Sequence, residues 1–399
     1  MMSIQQSTVK AASGLLDTRL VEVSCSTFAG SSGANEYNFM LKPRVGGQFD
    51  EQLEWLDTAL RDTLSSNGLD RESIVFRRFF CSDLPNQIEE LRLHPFSNPR
   101  GVVNGAVSLV VQPPVEPAEV CLWVYCIGER KPRGQGVREN GSFSLRRGAL
   151  EHVWSTGLAC PETTGPRAQT LAIFDAYEAD LKRKGMTLQD HCLRTWFYVK
   201  DVDFNYDGFV KGRNEVFSRC DLTPRTHYIA STGIQGSYKD MDTLVMMDAY
   251  AIKGIQPEQI RHLQALNHLS HTHVYGVAFE RATSIAYRDR KHIIVSGTAS
   301  IDSNGDVVHD GDVLGQLERT LENIAALLAQ EAATLDDMQH FIVYLRNSGD
   351  AGTIFELLSE RLGERPFLVV TGPVCRPNWL VEIEGIAIIP NTDDSLPVF

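Results

Sequence analysis

Three stretches of the sequence repeat one pattern, an amphipathic helix followed by a strand rich in β-branched and aromatic residues. They occupy residues 49–83, 167–201 and 312–347. Apolar residues recur in each helix at three- and four-residue steps, and in the first helix they are Leu53, Leu56, Leu60 and Leu64. This repeat constrains the fold most strongly, because each unit has to bury the same kind of helix face against the same kind of sheet.

Each unit continues with a second short helix, a strand, a connection and a closing strand. The closing strands are predicted at 120–127, 244–252 and 380–389. The units are predicted to span 18–130, 142–254 and 272–390, and the polar stretch 256–272 is predicted to be a linker with a short helix. Equal helix-on-sheet units pack naturally around a threefold axis. The sequence therefore predicts an α+β fold of three repeats, forming a pseudo-trimer within one chain.

Composition limits the partners of the protein. The chain of 399 residues has a formal net charge of -13 and no cluster of lysine and arginine, which argues against nucleic acid. No apolar run is long enough to span a membrane. Residues 1–17 lack a secretory signal, and the eight cysteines include no Cys-x-x-Cys. We therefore expect a soluble cytoplasmic protein that is a monomer or weak homo-oligomer.

No cofactor is predicted. The sequence has no Walker loop, no dinucleotide-binding glycine motif and no Gly-x-Ser-x-Gly elbow. Four histidines lie in or beside the predicted linker, but no carboxylate or cysteine accompanies them at metal-binding spacing. They are His262, His268, His271 and His273. We expect no metal site.

The third unit resembles the RidA/YjgF family, whose subunits form homotrimers with clefts between neighbours. The resemblance rests on GTASI, GDVLGQ, FIVYLRN and LVEIEGIAII. Glu382 matches the family's glutamate on the closing strand, whereas Leu368 stands where its deaminases have an arginine. Met246 and Cys121 hold the place of Glu382 in the other two units. The comparison predicts one working cleft and two degenerate ones.

A sharper resemblance covers the second and third units and is to the chorismatases. It rests on eight motifs in the same order, LRTWFYV, GRNEVF, IASTGIQG, VYGVAFERAT, VSGTASI, VVHDGDVLGQLE, VYLR and VCRPNWLVEIEG. The first unit matches poorly and is assigned a scaffold role. The resemblance implies hydrolysis of chorismate, a small dianion, to pyruvate and a ring acid. A RidA-like imine or enamine deaminase and a non-catalytic metabolite-binding protein stay open as alternatives.

Hydrolysis of the enol ether of chorismate requires protonation of a carbon, for which a buried carboxylic acid is suited. The resemblance places Glu382 in this catalytic role, with Glu384 in support. If Val381 and Ile383 face the core, strand alternation turns both glutamates to the opposite face. Alternation alone favours the alternative in which both glutamates face solvent on a half-exposed strand.

The carboxylates of chorismate call for cationic and polar partners. Arg194 and Arg376 are the better candidates, and Arg213 and Arg346 are further ones. For each arginine, a surface salt bridge is the alternative. Tyr275 is predicted to hydrogen-bond the substrate, although a core position is equally compatible. The sequence Ser231-Thr232-Gly233 is predicted to form a turn in which Thr232 and Gly233 present backbone N–H groups to a carboxylate, and a turn without a binding role is the alternative.

Cys375 and Gly297 bear on the product. Chorismatases that release a dihydroxy-cyclohexadiene acid have alanine at both places, whereas those that form 3-hydroxybenzoate have cysteine and glycine, as here. The resemblance therefore implies 3-hydroxybenzoate, with Cys375 taking part in catalysis and Gly297 leaving room for the ring. A small packed side chain is the alternative for Cys375.

Overall fold

The computed structural model describes residues 19–98, 101, 103–129, 136–139 and 141–399, except for the side chain of Tyr275. The segment 1–17, in which no secretory signal is predicted, and the predicted limits of the first unit at 18 and 130 lie outside the described residues. Within the described part, no helix is both long enough and apolar enough to cross a membrane.

The first sheet has the strand order β1-β2-β5-β3-β4 and packs against two helices. Its strands are β1 (Val21–Ala29), β2 (Ala34–Pro43), β3 (Ile74–Cys81), β4 (Ala106–Val111) and β5 (Val120–Glu129). Its helices are α1 (Phe49–Ser66) and α2 (Leu84–Leu93). The leucines that define the apolar face of α1 are all buried, which confirms the periodicity of the sequence.

The second sheet has the strand order β10-β9-β11-β8-β7-β6. Its strands are β6 (Val137–Glu139), β7 (Ser142–Arg147), β8 (Leu150–Ala159), β9 (Cys192–Val199), β10 (Ala230–Gln235) and β11 (Val245–Lys253). Its helices are α3 (Pro166–Arg183), α4 (Leu188–His191) and α5 (Val202–Arg219).

The third sheet has the strand order β12-β13-β14-β17-β15-β16. Its strands are β12 (Ile260–Leu263), β13 (Ala282–Ala286), β14 (Arg290–Ala299), β15 (Met338–Leu345), β16 (Phe367–Thr371) and β17 (Val381–Pro390). Its helices are α6 (Val313–Ala329) and α7 (Ala351–Leu362). The stretch predicted to be a linker contributes β12 to this sheet, because Ile260–Leu263 pairs antiparallel with β13. Its only helical turns are short 3-10 turns.

The same four-strand arrangement occurs in all three sheets. It reads β2-β5-β3-β4, β8-β11-β9-β10 and β14-β17-β15-β16, with the closing strand second each time. The last two strands of each set run parallel, and the other neighbours run antiparallel. The fold is therefore the predicted threefold-repeated α+β fold.

The outer strand of each set lies against the next sheet around the axis. The strand β4 contacts β8, β10 contacts β14, and β16 contacts β2. These contacts define the first–second, second–third and third–first junctions. Buried side chains from all three sheets, among them Trp123, Trp196 and Tyr344, form one hydrophobic cluster in the middle.

Candidate active site

Glu382 and Glu384 lie on β17 and face the interior at the second–third junction. The intervening Ile383 is fully buried on the other face, as strand alternation requires. Glu382 is 5% exposed and Glu384 is 2% exposed. The alternative in which both glutamates face solvent is therefore wrong.

Glu384 is held by hydrogen bonds to both of its carboxylate oxygens. Its Oε2 accepts from Arg194 Nη2 at 2.5 Å and from the hydroxyl of Thr232. Its Oε1 accepts from Trp196 Nε1 at 2.9 Å and from the Tyr344 hydroxyl at 3.0 Å. Four donors, one of them the Arg194 guanidinium, therefore bind the two oxygens of Glu384, which is a salt-bridged hydrogen-bond acceptor.

Glu382 is the carboxyl group that keeps its proton. Burial, reinforced by the neighbouring charge of Glu384, raises its pKa to about 8, against the opposing effects of Arg194 and Arg281. A carboxylic acid with this pKa is mostly protonated at neutral pH and is strong enough to transfer its proton. The two glutamates, two residues apart, therefore lie in different environments: four donors bind Glu384, whereas burial and the neighbouring carboxylate raise the pKa of Glu382.

Gly297 on β14 makes room for the acid. A methyl group added there would overlap the Glu382 carboxyl group and lie 3.1 Å from Cγ2 of Thr232. The Gly297 backbone N–H donates to the Thr232 hydroxyl at 2.9 Å. Since that hydroxyl also binds Glu384, Thr232 connects Gly297 to the carboxylate beside the acid. Sequence reasoning expected the space at Gly297 to serve the substrate ring, whereas the Glu382 carboxyl group occupies it.

The segment predicted to be a turn is part of a strand. Residues 231–233 lie in β10, where Thr232 pairs with Trp196 of the parallel strand β9. The predicted turn that offers N–H groups is therefore wrong, and Thr232 acts through its hydroxyl. Gly233 lies beside α5, where an added methyl group would come within 3.2 Å of Phe209 and 3.5 Å of Tyr206.

Cys375 lies in the loop between β16 and β17. Burial raises the pKa of its thiol to about 12, and Glu382, which is ionised at such a high pH, adds to this effect. The Tyr206 hydroxyl donates a hydrogen bond to the thiol, and the pKa of Tyr206 is itself raised, mainly by burial. The thiol therefore stays protonated at neutral pH and is no thiolate nucleophile.

The four predicted arginines lie in different settings. Arg194 is fully buried, with its Nη2 bound to Glu384 and Thr232. Arg213, 1% exposed on α5, stacks 4.9 Å from the ring of Phe209 and lies close enough to Cys375 to affect its pKa. Arg376 follows Cys375 and stacks 4.8 Å from the ring of Trp379. These positions place Arg213 and Arg376 on the Cys375 side of Glu382.

Arg346 supports the loop that carries Cys375. Its guanidinium forks onto Asp203 at 3.0 and 3.1 Å and donates to the carbonyls of Val374, Arg376 and Trp379. These bonds connect the loop to α5 of the second unit. The side chain of Tyr275, predicted to bind substrate, lies outside the described residues.

Two residues near the acid were missed from the sequence. Tyr206 lies seven residues before Arg213 on α5, a spacing of two helical turns that places both on one face. Arg281, 4% exposed, donates through Nε and Nη2 to the Ser270 carbonyl and lowers the pKa of Glu382. Arg281 lies in the VYGVAFERAT motif, and this position could have indicated it from the sequence.

Comparison with known proteins assigns the family. A profile described as Endoribonuclease L-PSP matches residues 279–389. A protein of Streptomyces rapamycinicus named chorismatase is 32% identical over 272 residues, which cover 63% of this chain and 80% of the relative. The chain belongs to the chorismatase family. It is accordingly an enzyme.

A second chorismatase and a chorismatase crystal structure agree with this assignment, and a shorter similarity is to a deaminase. A chorismatase of Streptomyces hygroscopicus is 30% identical over 210 residues, covering 48% of this chain and 60% of the relative. A chorismatase crystal structure superposes with a TM-score of 0.61 over 79% of this chain and 93% of its own, at 21% identity, which shows a shared fold. The 3-aminoacrylate deaminase RutC of Acinetobacter baylyi is 35% identical over 98 residues, covering 24% of this chain and 77% of the relative.

The histidines of the predicted linker do not assemble into one cluster. His262 stacks on His227 of the second unit at 4.6 Å, and His271 lies 5.1 Å from His273. Among the described residues, the one group of three potential metal ligands is Glu54, Asp57 and His94 in the first unit. Of this group, Asp57 is paired with Arg71 at 2.7 Å, and His94 lies 3.0 Å from Glu54.

Proposed function

We propose that this protein hydrolyses chorismate to pyruvate and 3-hydroxybenzoate without a metal ion or cofactor, with Glu382 as the general acid. The observation that carries this proposal is a buried carboxyl group with a pKa of about 8, beside a fixed carboxylate, in a chain of the chorismatase family. A carboxylic acid held in its neutral form by burial is the device that carbon protonation needs.

The reaction begins at the enol-pyruvyl ether. Glu382 transfers its proton to the terminal methylene carbon, and the electrons of the double bond form the new C–H bond. The resulting oxocarbenium ion accepts water at the neighbouring carbon, and the Glu382 carboxylate takes up a proton from that water. Collapse of the hemiketal releases pyruvate and a dihydroxy-cyclohexadiene acid, and loss of one water from this acid gives 3-hydroxybenzoate.

We assign the substrate contacts to the arginines on the Cys375 side. Arg213 and Arg376 bind the carboxylates of chorismate, with Arg281 and Tyr206 close by. Arg194 and Thr232 act on the substrate indirectly, because both are bound to Glu384. Arg346 acts indirectly as well, since its donors hold the Cys375 loop. Gly233 leaves space for Tyr206 beside β10, and Tyr275 keeps its predicted role as a substrate hydrogen-bonding partner.

The assignment of the product rests on Cys375 and Gly297. A protonated thiol is able to donate a hydrogen bond to the hydroxyl that leaves the ring during aromatisation. Gly297 determines the position of the Glu382 carboxyl group, because a methyl group at residue 297 would displace it. The cysteine and glycine pair, which resembles that of the 3-hydroxybenzoate-forming chorismatases, supports this product.

We assign a different role to each of the three units. We assign the acid to the unit 272–390, substrate-binding residues to the unit 142–254, and support of the assembly to the unit 18–130. The placement of Glu382 on β17 and of Arg213 on α5 supports the first two assignments.

The direct test is incubation of the purified protein with chorismate and identification of the products by mass spectrometry, with and without exhaustive chelation of metal ions. We expect pyruvate and 3-hydroxybenzoate in equal amounts, at the same rate in both samples. Unconsumed chorismate would refute the proposed substrate, and activity lost on chelation and restored by a metal ion would refute the metal-free mechanism.

A further inference from the structure

Arg78 connects the first unit to the carboxylates at the centre of the molecule. It lies on β3, and its side chain is fully buried. Its Nη2 binds Oδ2 of Asp248, from the second unit, at 3.1 Å. Its Nη1 lies 3.8 Å from Oε1 of Glu384, from the third unit. One guanidinium therefore contacts a carboxylate from each of the other two units.

Four buried charges form this axial cluster, which consists of Arg78, Arg194, Asp248 and Glu384. None of their side chains is more than 3% exposed. Two cations balance two anions, so the cluster has no net charge while Glu382 is protonated. Because the protein interior screens charges weakly, the loss of any one charge changes the electrostatic energy of the carboxyl groups that remain.

The surroundings of Arg78 fix its position. Its guanidinium lies 4.7 Å from the ring of Trp196 and 5.5 Å from that of Trp123. Its Nε donates to the Ser108 hydroxyl at 3.2 Å, and that hydroxyl donates to Asp248. Asp248 also accepts from the Gly157 backbone N–H at 2.8 Å. Packing and hydrogen bonds therefore hold the cation between the two carboxylates.

We propose that Arg78 of the first unit is a positioning residue for the acid, acting through Glu384, the fixed carboxylate two residues from Glu382 on β17. The first unit then contributes to the reaction as well as to the assembly. The inference rests on the proposed function, which names Glu382 as the acid.

The charged and titratable groups that face the two glutamates come from several elements. Around Glu382 they are Glu384 on β17, Arg194 on β9, Arg281 before β13, Cys375 in the loop after β16 and Tyr206 on α5. Around Glu384 they are Arg194, Arg78, Tyr344 and Tyr198. Burial, together with the two arginines, lowers the pKa of the nearby His340 to about 3, so His340 is neutral and leaves the charge balance unchanged.

The charge balance predicts shifts of opposite sign. Arg78→Met leaves a surplus negative charge, which opposes ionisation of Glu382 and raises its titration midpoint. Asp248→Asn preserves the shape of the side chain but leaves a surplus positive charge, which lowers the midpoint. We expect each shift to be about half to one pH unit. In the double variant the charges balance again, and the midpoint returns to the wild-type value.

The experiment measures the midpoint in two ways. The infrared band of the protonated carboxyl group, assigned by its absence from Glu382→Gln, is titrated directly, and the pH dependence of kcat is measured with chorismate. The control is Arg77→Met. Arg77 neighbours Arg78 on β3 and is equally buried, but it donates to the backbone carbonyls of Phe96 and Asn104.

We expect the control to lose stability without a shift of the midpoint. Midpoints that stay unmoved, or that move in the same direction in both single variants, would overturn the inference. If Arg78→Met does not fold, Asp248→Asn decides the question alone, because a midpoint that fails to fall contradicts the charge balance. If the wild type leaves chorismate unchanged, the proposed function fails, whereas the infrared titration still tests the link between Arg78 and Glu382.

Discussion

The second–third and third–first junctions are equivalent by topology and differ in chemistry. The second residue of the closing strand is Glu382 at the former and Cys121 at the latter. Two positions further on, Glu384 corresponds to Trp123. Thr232 of the second sheet is equivalent by strand register to Leu368 of the third sheet. Thr232 pairs with the residue that lies opposite Asp248, and Leu368 pairs with the residue that lies opposite Glu384. At these three positions, a polar group of the second–third junction thus has an apolar or weakly polar counterpart at the third–first junction.

The third–first junction nevertheless has a cavity of about 310 Å³, lined by residues that include Met40, Lys42, Phe355 and Leu368. Burial raises the pKa of Cys121 to about 12, so its thiol is neutral. A cavity at a junction is therefore a product of the packing of the units. The proposed reaction also needs a carboxylic acid whose neighbours set its pKa. Glu382 meets this requirement at the second–third junction, and Cys121 does not meet it at the third–first junction.

Replacement of the acid tests this contrast with the largest expected effect. Glu382→Gln keeps the shape of the side chain but removes the proton, and we expect kcat to fall at least ~10²-fold. Cys121→Ala, at the equivalent position of the third–first junction, should leave kcat within about twofold of wild type. Turnover of chorismate under saturating conditions measures both. Near wild-type activity in Glu382→Gln would assign the acid role to another residue, with Glu384 the next candidate.

The product tests the contributions of Cys375 and Gly297. Because Cys375→Ala with Gly297→Ala removes the thiol and shifts the Glu382 carboxyl group, we expect the main product to change from 3-hydroxybenzoate to the dihydroxy-diene acid. Chromatography of the products measures the ratio. Cys25→Ala, in the cavity of the third–first junction, is the matched control and should leave the product unchanged. A wild type that releases only the diene acid refutes the product assignment, and a double variant with unchanged aromatic output refutes its mechanism.

The pH dependence of the reaction reports the protonation state of the acid. The pKa of Glu382, raised to about 8, predicts a plateau of kcat below this pH, where the carboxyl group is protonated. Above it the protonated fraction falls, and kcat should decrease about tenfold per pH unit. A rate that rises with pH across this range would show that the ionised carboxylate is the active form.

The smallest expected effect concerns the loop that carries Cys375. Arg346→Gln removes the fork onto Asp203 and most of the bonds to the loop, and we expect kcat/KM to fall roughly threefold to tenfold. The matched control is Arg365→Gln at the third–first junction, where Arg365 is paired with Asp336 at 2.8 Å. Steady-state kinetics of both variants test whether the loop matters, and equal effects would show general destabilisation instead.

The sequence was sufficient for the architecture because the helix and strand periods recur three times and the strand alternation on β17 is regular. The resemblance in ordered motifs also selected Glu382, which is buried at the second–third junction, and its role as the acid stays a prediction. The sequence was insufficient for residues 231–233, since a Ser-Thr-Gly sequence is compatible with a turn and with an outer strand. The partners of Arg194 and Arg346 depend on contacts between units, and no local pattern encodes those contacts. Burial of Glu384 by donors from three strands likewise emerges only on assembly.

The central claim is that an enzyme acid protonates the methylene carbon of the enol ether. The most direct measurement is the reaction of chorismate in D₂O, with the pyruvate trapped at once by reduction to lactate and its methyl group analysed by mass spectrometry. The acid exchanges its proton with solvent before transfer, so the account predicts one solvent deuterium in the methyl group of the trapped lactate. A methyl group without deuterium would mean that the hydrogen came from the substrate ring, which would contradict protonation by Glu382.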